Sequence, residues 1–190
     1  YYERALAMQD SGAQVDFGTA TTNKLQYQAE FGTQKAAMML MGSWYVATLV
    51  AQQASGEAQD FAWGVAPAPQ VSESTKDKPV TFGDPTGLGV NAAIDESKID
   101  AAKKFLSFAA GEKGALALAE IGVTPAAVTD AVSDAYFSVK GVPTDELSKT
   151  TFAEHDTRPE NPVAESTAAL QNILGEMHTA IMSGSTPVAD

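Results

Sequence analysis

The 190-residue chain predicts a helix-rich α/β fold. Three observations carry this reading. Several stretches repeat apolar residues at helical spacing, short apolar runs bounded by glycine and proline lie between them, and the helical stretches outnumber the strand candidates. The strand candidates are too few and too far apart to build a complete sheet alone.

Residues 2–10 suit a helix closed by Ser11-Gly12. A polar entry, Ala20-Thr21-Thr22-Asn23, leads into a second helix over 24–31 that Gly32 terminates. The run 36–41 is almost wholly apolar and reads as a buried strand. Gly42, lacking a Cβ, allows a sharp turn, and the Ser43 hydroxyl suits a helix cap. A helix then runs from Trp44 to about residue 54, with Val46, Leu49 and Val50 at helical spacing and Ser55-Gly56 at its end. Trp44 thus stands where a strand hands over to a helix, the end of an open α/β sheet at which ligands collect. Its ring reads equally as a lid on the core and as a platform for something flat and apolar.

A second strand over 61–67 is stopped by Pro67 and Pro69. Residues 70–79 are polar and read as a surface loop. Residues 80–82 and 88–92 are short strand candidates on either side of the turn Gly83-Asp84-Pro85-Thr86-Gly87. The clearest helix covers 95–111, where Ala101, Ala102, Phe105, Leu106, Phe108 and Ala109 form an apolar stripe with Lys103 and Lys104 outside it. Further helices are expected over 112–121, ending at Gly122, over 126–137 after Thr124-Pro125, and over 145–154. Prolines keep 158–162 extended. A long helix over 163–182 carries Leu170, Ile173, Leu174, Met177 and Ile181 on one side. The chain opens within an apparent helix and stops just after a helix-start signal, Ser185 with Pro187, so both ends read as cut from a longer protein.

A hydrophobic content of 44% supports a proper core. The net charge of −12 argues against nucleic acid and against an anionic membrane surface as partners. No apolar run approaches the roughly 20 residues of a membrane span. Without cysteine, the chain has no disulfides, thiolate metal sites or cysteine nucleophiles. His155 and His178 lack metal-ligand spacing. His178 reads as a partly exposed helical histidine, and His155 beside Asp156 as a loop pair ahead of an acid/base pair. Neither a Gly-x-Ser-x-Gly elbow nor a phosphate-binding loop is present, and Gly87-Leu88-Gly89 does not extend to a dinucleotide fingerprint. Paired carboxylates are able to serve a glycosidase, but among 24 acids only Asp84 stands in a candidate buried context.

Several motifs stand in a distinctive order: Phe31 with Lys35-Ala36-Ala37-Met38-Met39 and Gly42-Ser43-Trp44, then 61–69, then 83–91, then 101–108, then Gly122-Val123-Thr124-Pro125, then the helix 163–182 running into Gly184-Ser185-Thr186-Pro187. In this order and spacing the chain resembles the C-terminal half of a family 1 extracellular solute-binding protein, the maltose-binding-protein-like group of carbohydrate ABC transporters. The resemblance implies a type II periplasmic-binding-protein-like fold: two α/β lobes joined by a hinge, with the sugar in the cleft. It places 1–84 in the C-terminal lobe, 85–124 in a segment crossing to the N-terminal lobe, and 125–190 back in the C-terminal lobe. Most of the N-terminal lobe lies outside this chain. The segment 85–124 is then expected to pack elsewhere, swap between chains or expose apolar surface.

The same resemblance implies extracytoplasmic capture of a mono- or oligosaccharide by a lipoprotein or periplasmic protein. The sugar is handed to membrane permease subunits of an ABC transporter, without catalysis, cofactor or metal. Trp44 corresponds to the family's cleft tryptophan in its Gly-x-Trp motif. Ser43 is expected as a cap ahead of a ligand contact, the two being compatible, and Trp63 as a core residue ahead of a cleft residue. Asp84 is placed to accept from sugar hydroxyls and Gly87 to allow close backbone approach, with a plain turn as the alternative. Arg158, Glu160 and Asn161 precede the last long helix, near further cleft contacts of the family. Residues 164–169 lack the aromatic that maltose-binding protein carries there, which argues against a maltodextrin preference. The competing readings are a glycoside hydrolase-like carbohydrate-active domain, a structural or adhesive domain, and the same superfamily with a peptide or polyamine ligand.

Overall fold

The computed structural model describes residues 1–70, 72–73, 80–83, 87–153 and 156–188. Asp84, His155 and most of the 70–79 loop lie outside these described residues. The chain divides into two compact units, residues 1–30 with 161–190 and residues 31–160.

The first unit contains α1 (Tyr2–Asp10), α2 (Phe17–Thr22) and α9 (Thr167–Met182). Asp16 starts α2 by accepting from the Thr19 N–H at 2.8 Å. The Gln9 side chain accepts from the Phe17 N–H at 2.6 Å, tying α1 to α2. His178 of α9 meets the rings of Tyr2 and Phe17 at 5.7 and 5.4 Å, and is half-buried as the sequence suggests. Ala5, Ile181 and Met182 are buried here, whereas Leu170, Ile173, Leu174 and Met177 remain exposed.

The second unit contains α4 (Trp44–Ser55), β1 (Val80–Phe82), α5 (Ile99–Ala109), α6 (Glu112–Ala119), α7 (Asp130–Ser138), α8 (Glu146–Phe152) and β2 (Asp156–Arg158). The short α3 (Tyr27–Gly32) spans the division between units in the chain. Val46 of α4, Ala115 and Ala119 of α6, Val132 and Tyr136 of α7, and Val142 form the core. Tyr136 stacks on Phe152 at 4.4 Å, and Phe137 meets both rings edge-on, which locks α7 to α8. β1 and β2 pair in parallel, Val80 opposite Asp156 and Phe82 opposite Arg158.

Helices α1, α4, α6 and α8 fall where the sequence pattern puts them. Gly56, at φ 82, closes α4 in the left-handed conformation that glycine adopts without strain. Other expectations are corrected. The helix expected over 24–31 begins only at Tyr27, because Lys24 takes φ 50 and breaks the path, while Asp16 starts a separate helix earlier. The 95–111 helix is a 3₁₀ turn, Glu96–Lys98, followed by α5, and Asp95 caps that turn through the Ser97 N–H at 2.9 Å. α7 starts at Asp130 rather than near 126, since Thr129 accepts from the Val132 N–H and fixes the first turn. α9 starts at Thr167, whose hydroxyl donates to the Pro162 carbonyl at 2.6 Å and holds 163–166 in a turn. Ser185 and Pro187 start no helix among the described residues.

The strand expectations fare differently. Residues 80–82 are a strand, β1. Residues 36–41, 61–67 and 88–92 are not. A strand exists by pairing its backbone with another strand, and among the described residues the backbone of 36–41 makes no hydrogen bond. The run expected to be buried instead leaves Met38 87% and Leu40 85% exposed.

Candidate functional site

Trp44 opens α4, and the residues just behind it anchor that helix. Tyr45, Val46 and Leu49 are buried, and Phe31 contacts Tyr45 and Phe61 edge-on at 6.4 and 5.5 Å. Trp44 itself is 62% exposed, so its ring is no lid on the core of this chain. The expected Ser43 cap does not form. Ser43 takes φ −60, ψ −19, inside the helical region, and its side chain makes no cap bond. A cap side chain reaches back to the first turn only from an extended backbone. The turn is closed by the backbone instead, with Tyr45 N–H donating to the Gly42 carbonyl and Val46 N–H to the Ser43 carbonyl, both at 3.2 Å. The exposed Ser43 hydroxyl is therefore not consumed by capping.

Gly42 also plays a part different from the expected one. Its φ lies outside the left-handed region. What the missing Cβ provides is space: a Cβ there would overlap Trp44 Cζ3, Cε3 and Cη2.

Trp63 lies in the extended segment 61–66. Residues 61, 63 and 65 are half-buried while 62, 64 and 66 are exposed. The indole packs on the core, and its Nε1–H donates to Gln53 Oε1 at 3.1 Å. Gln53 Nε2 in turn donates to the carbonyls of Gln59 and Phe61 at 3.0 and 3.1 Å. Further along, Val65 N–H donates to Ser148 Oγ at 2.8 Å, and Ser148 Oγ donates to Asp145 Oδ2 at 2.7 Å. Ser148 is buried. The hydroxyl and N–H of Ser148 hold the Asp145 carboxyl below the usual carboxylate range. A shallow open groove of about 410 Å³ runs along 62–66 with Asp145 and Leu147 on its other side.

The remaining site residues are dispersed. Arg158 is exposed at the end of β2, its carbonyl accepting from Gly83 N–H at 3.0 Å. Glu160 is exposed two residues later. Asn161 belongs to the first unit, where its Oδ1 accepts from Gln171 Nε2 at 2.6 Å. Gly87 is exposed, and a Cβ on it would meet nothing within 4 Å. No hydrogen bond or ring contact among the described residues links Trp44 to Trp63 or to Arg158. The sequence did not point to Gln53, Asp145 or Ser148. The Asp145-x-x-Ser148 spacing is a readable cap signal, but nothing local announces that Gln53 will meet an indole ten residues away. Among the described residues no cluster of His, Cys, Asp or Glu is arranged to hold a metal, and no helix is long and apolar enough to cross a membrane.

The chain belongs to the bacterial extracellular solute-binding proteins, whose family model matches residues 1–116. Its helix-rich α/β architecture is that of this fold. Among solved structures it is similar to a sugar transporter from Rhizobium etli in an open conformation, with a TM-score of 0.76 and 31% identity over 97% of this chain. It spans 46% of that protein's length. No curated protein matches it.

Proposed function

We propose that this protein captures a mono- or oligosaccharide outside the cytoplasm, as a lipoprotein or periplasmic protein, and delivers it to the permease subunits of an ABC transporter. The observation that carries the reading is the exposed indole of Trp44 on a helix whose next residues are buried. A sugar ring has apolar C–H faces that stack on an aromatic ring and hydroxyls that need polar partners. Trp44 supplies the stacking face. The exposed Ser43 hydroxyl, adjacent in the chain, supplies a hydrogen-bonding group, and Arg158, Glu160 and Gly87 of the same unit are further candidate contacts. The similarity to a sugar transporter favours this ligand class over peptides and polyamines.

In this reading 1–84 and 125–190 form one lobe and 85–124 contributes to the other. The exposed apolar side chains of Leu88, Val90, Phe105 and Phe108 support that assignment, since they fit surfaces completed by other parts of a two-lobed fold. Capture and release change no covalent bond. A thermal-shift screen of the full protein against D-glucose, D-galactose, maltose and sucrose tests the proposal, because a ligand that binds only the folded state raises the midpoint. The expected result is a concentration-dependent rise with at least one sugar, which chromatography then recovers intact. Hydrolysis products would instead support the glycoside hydrolase reading, and the absence of any shift would remove sugar capture.

A further inference from the structure

Gly42 and Trp44 share a geometry that goes beyond the presence of an exposed ring. A Cβ on Gly42 would lie closest to Trp44 Cζ3 and at equal, slightly longer distances from Cε3 and Cη2. Those proportions place it over the face of the six-membered ring, not beyond its edge. The indole therefore lies against the Gly42 backbone by one face. Trp44 is nevertheless 62% exposed, which leaves the opposite face to solvent.

We infer that Gly42 is the positioning residue of the Trp44 platform: by lacking a Cβ it seats the indole against the loop backbone and leaves a single face for one sugar ring. This rests on the sugar-capture reading and adds to it a residue and a ligand geometry. A ring pressed on its own backbone cannot be sandwiched between two sugars, so it takes one flat C–H face. It also loses less freedom on binding than a side chain free to rotate, and such preorganisation contributes directly to affinity.

Gly42→Ala is a direct probe because the φ of Gly42 is outside the left-handed region, so alanine adds a Cβ without backbone strain of that kind. The added Cβ has to displace the indole. In a Trp63→Phe background of this 190-residue chain, where Trp44 is the sole tryptophan, Gly42→Ala should steepen acrylamide quenching of the tryptophan emission, since both faces become accessible. With the sugar that gives the largest thermal shift among D-glucose, D-galactose, maltose and sucrose, Gly42→Ala should reproduce more than about half of the affinity loss of Trp44→Ala. Added to Trp44→Ala, it should cost nothing further. An unchanged quenching slope overturns the seat, with or without a sugar in hand. Equal affinity of Gly42→Ala and wild type, when Trp44→Ala binds weakly, overturns the positioning role while leaving sugar capture intact. If Trp44→Ala binds as well as wild type, the capture reading itself fails at this ring, and with it the positioning role.

Discussion

Helices α4 and α5 are of similar length and both carry apolar stripes, yet they meet opposite fates. α4 buries Tyr45, Val46 and Leu49, packs Val46 with residues of α6 and α7, and presents Trp44 from a fixed base. α5 has the broader stripe, but none of its residues is buried, and Phe105 and Phe108 are 60% and 51% exposed. An amphipathic pattern predicts a helix and the face that seeks burial; it does not supply the partner. In the two-lobed reading the difference has a simple source: α4 has its packing partners within its own unit, whereas α5 presents a face suited to another part of the fold.

The comparison can be broken by substitution. Leu49→Ala, at a fully enclosed position, should cost about 2–5 kcal/mol in urea denaturation. In this chain alone, Phe105→Ala on α5 should change stability by no more than about 0.5 kcal/mol in the same measurement. The two-lobed reading expects a larger loss in the full protein, where another part of the fold covers that face. A comparable loss at both positions in this chain alone would mean that α5 is packed as tightly as α4. Ser148→Ala sits between these extremes. It strips the Val65 N–H of its partner, and an unsatisfied, partly buried N–H costs about 1–3 kcal/mol. Its local signature should be a change in Trp63 emission, because the segment that carries Trp63 loses one of its two anchors.

Asp145→Asn should have the smallest effect, and its pH dependence has a definite sign. The Asp145 carboxyl is held below its ordinary value of 3.8 by Ser148. A depressed folded-state pKa contributes stability above the unfolded value, and that contribution disappears as pH falls through the folded value. The gap between wild type and Asp145→Asn should therefore be present at pH 7 and shrink below about pH 3.8 in thermal melts. A gap that widens on acidification would contradict the assigned hydrogen bonds.

Most helices were legible in the sequence because their ends carry local signals, such as Gly56 after α4 and Asp145 before α8. The strands were less legible, for a physical reason. In 61–66 the alternation of half-buried and exposed residues marks an extended chain against a core, but pairing depends on a second strand that no local pattern reveals. Ser43 shows the limit of cap chemistry: the residue type was right, and a helical backbone kept its side chain from capping. For the candidate site, Trp44 was legible as a large ring at the start of a helix, whereas its exposure and its contact with Gly42 emerge only from the folded path. The Gln53–Trp63 bond likewise depends on the chain turning back after Gly56.

Isothermal titration of the full protein and its Trp44→Ala variant with the sugar that gives the largest thermal shift tests the central claim most directly. Removal of a stacking aromatic at the centre of a site costs about 2 kcal/mol or more, which is more than roughly a tenfold loss of affinity. The account predicts that loss with an unchanged melting midpoint in the absence of sugar, since Trp44 is 62% exposed. Unchanged affinity, or a loss that appears only with a lowered midpoint, would contradict it.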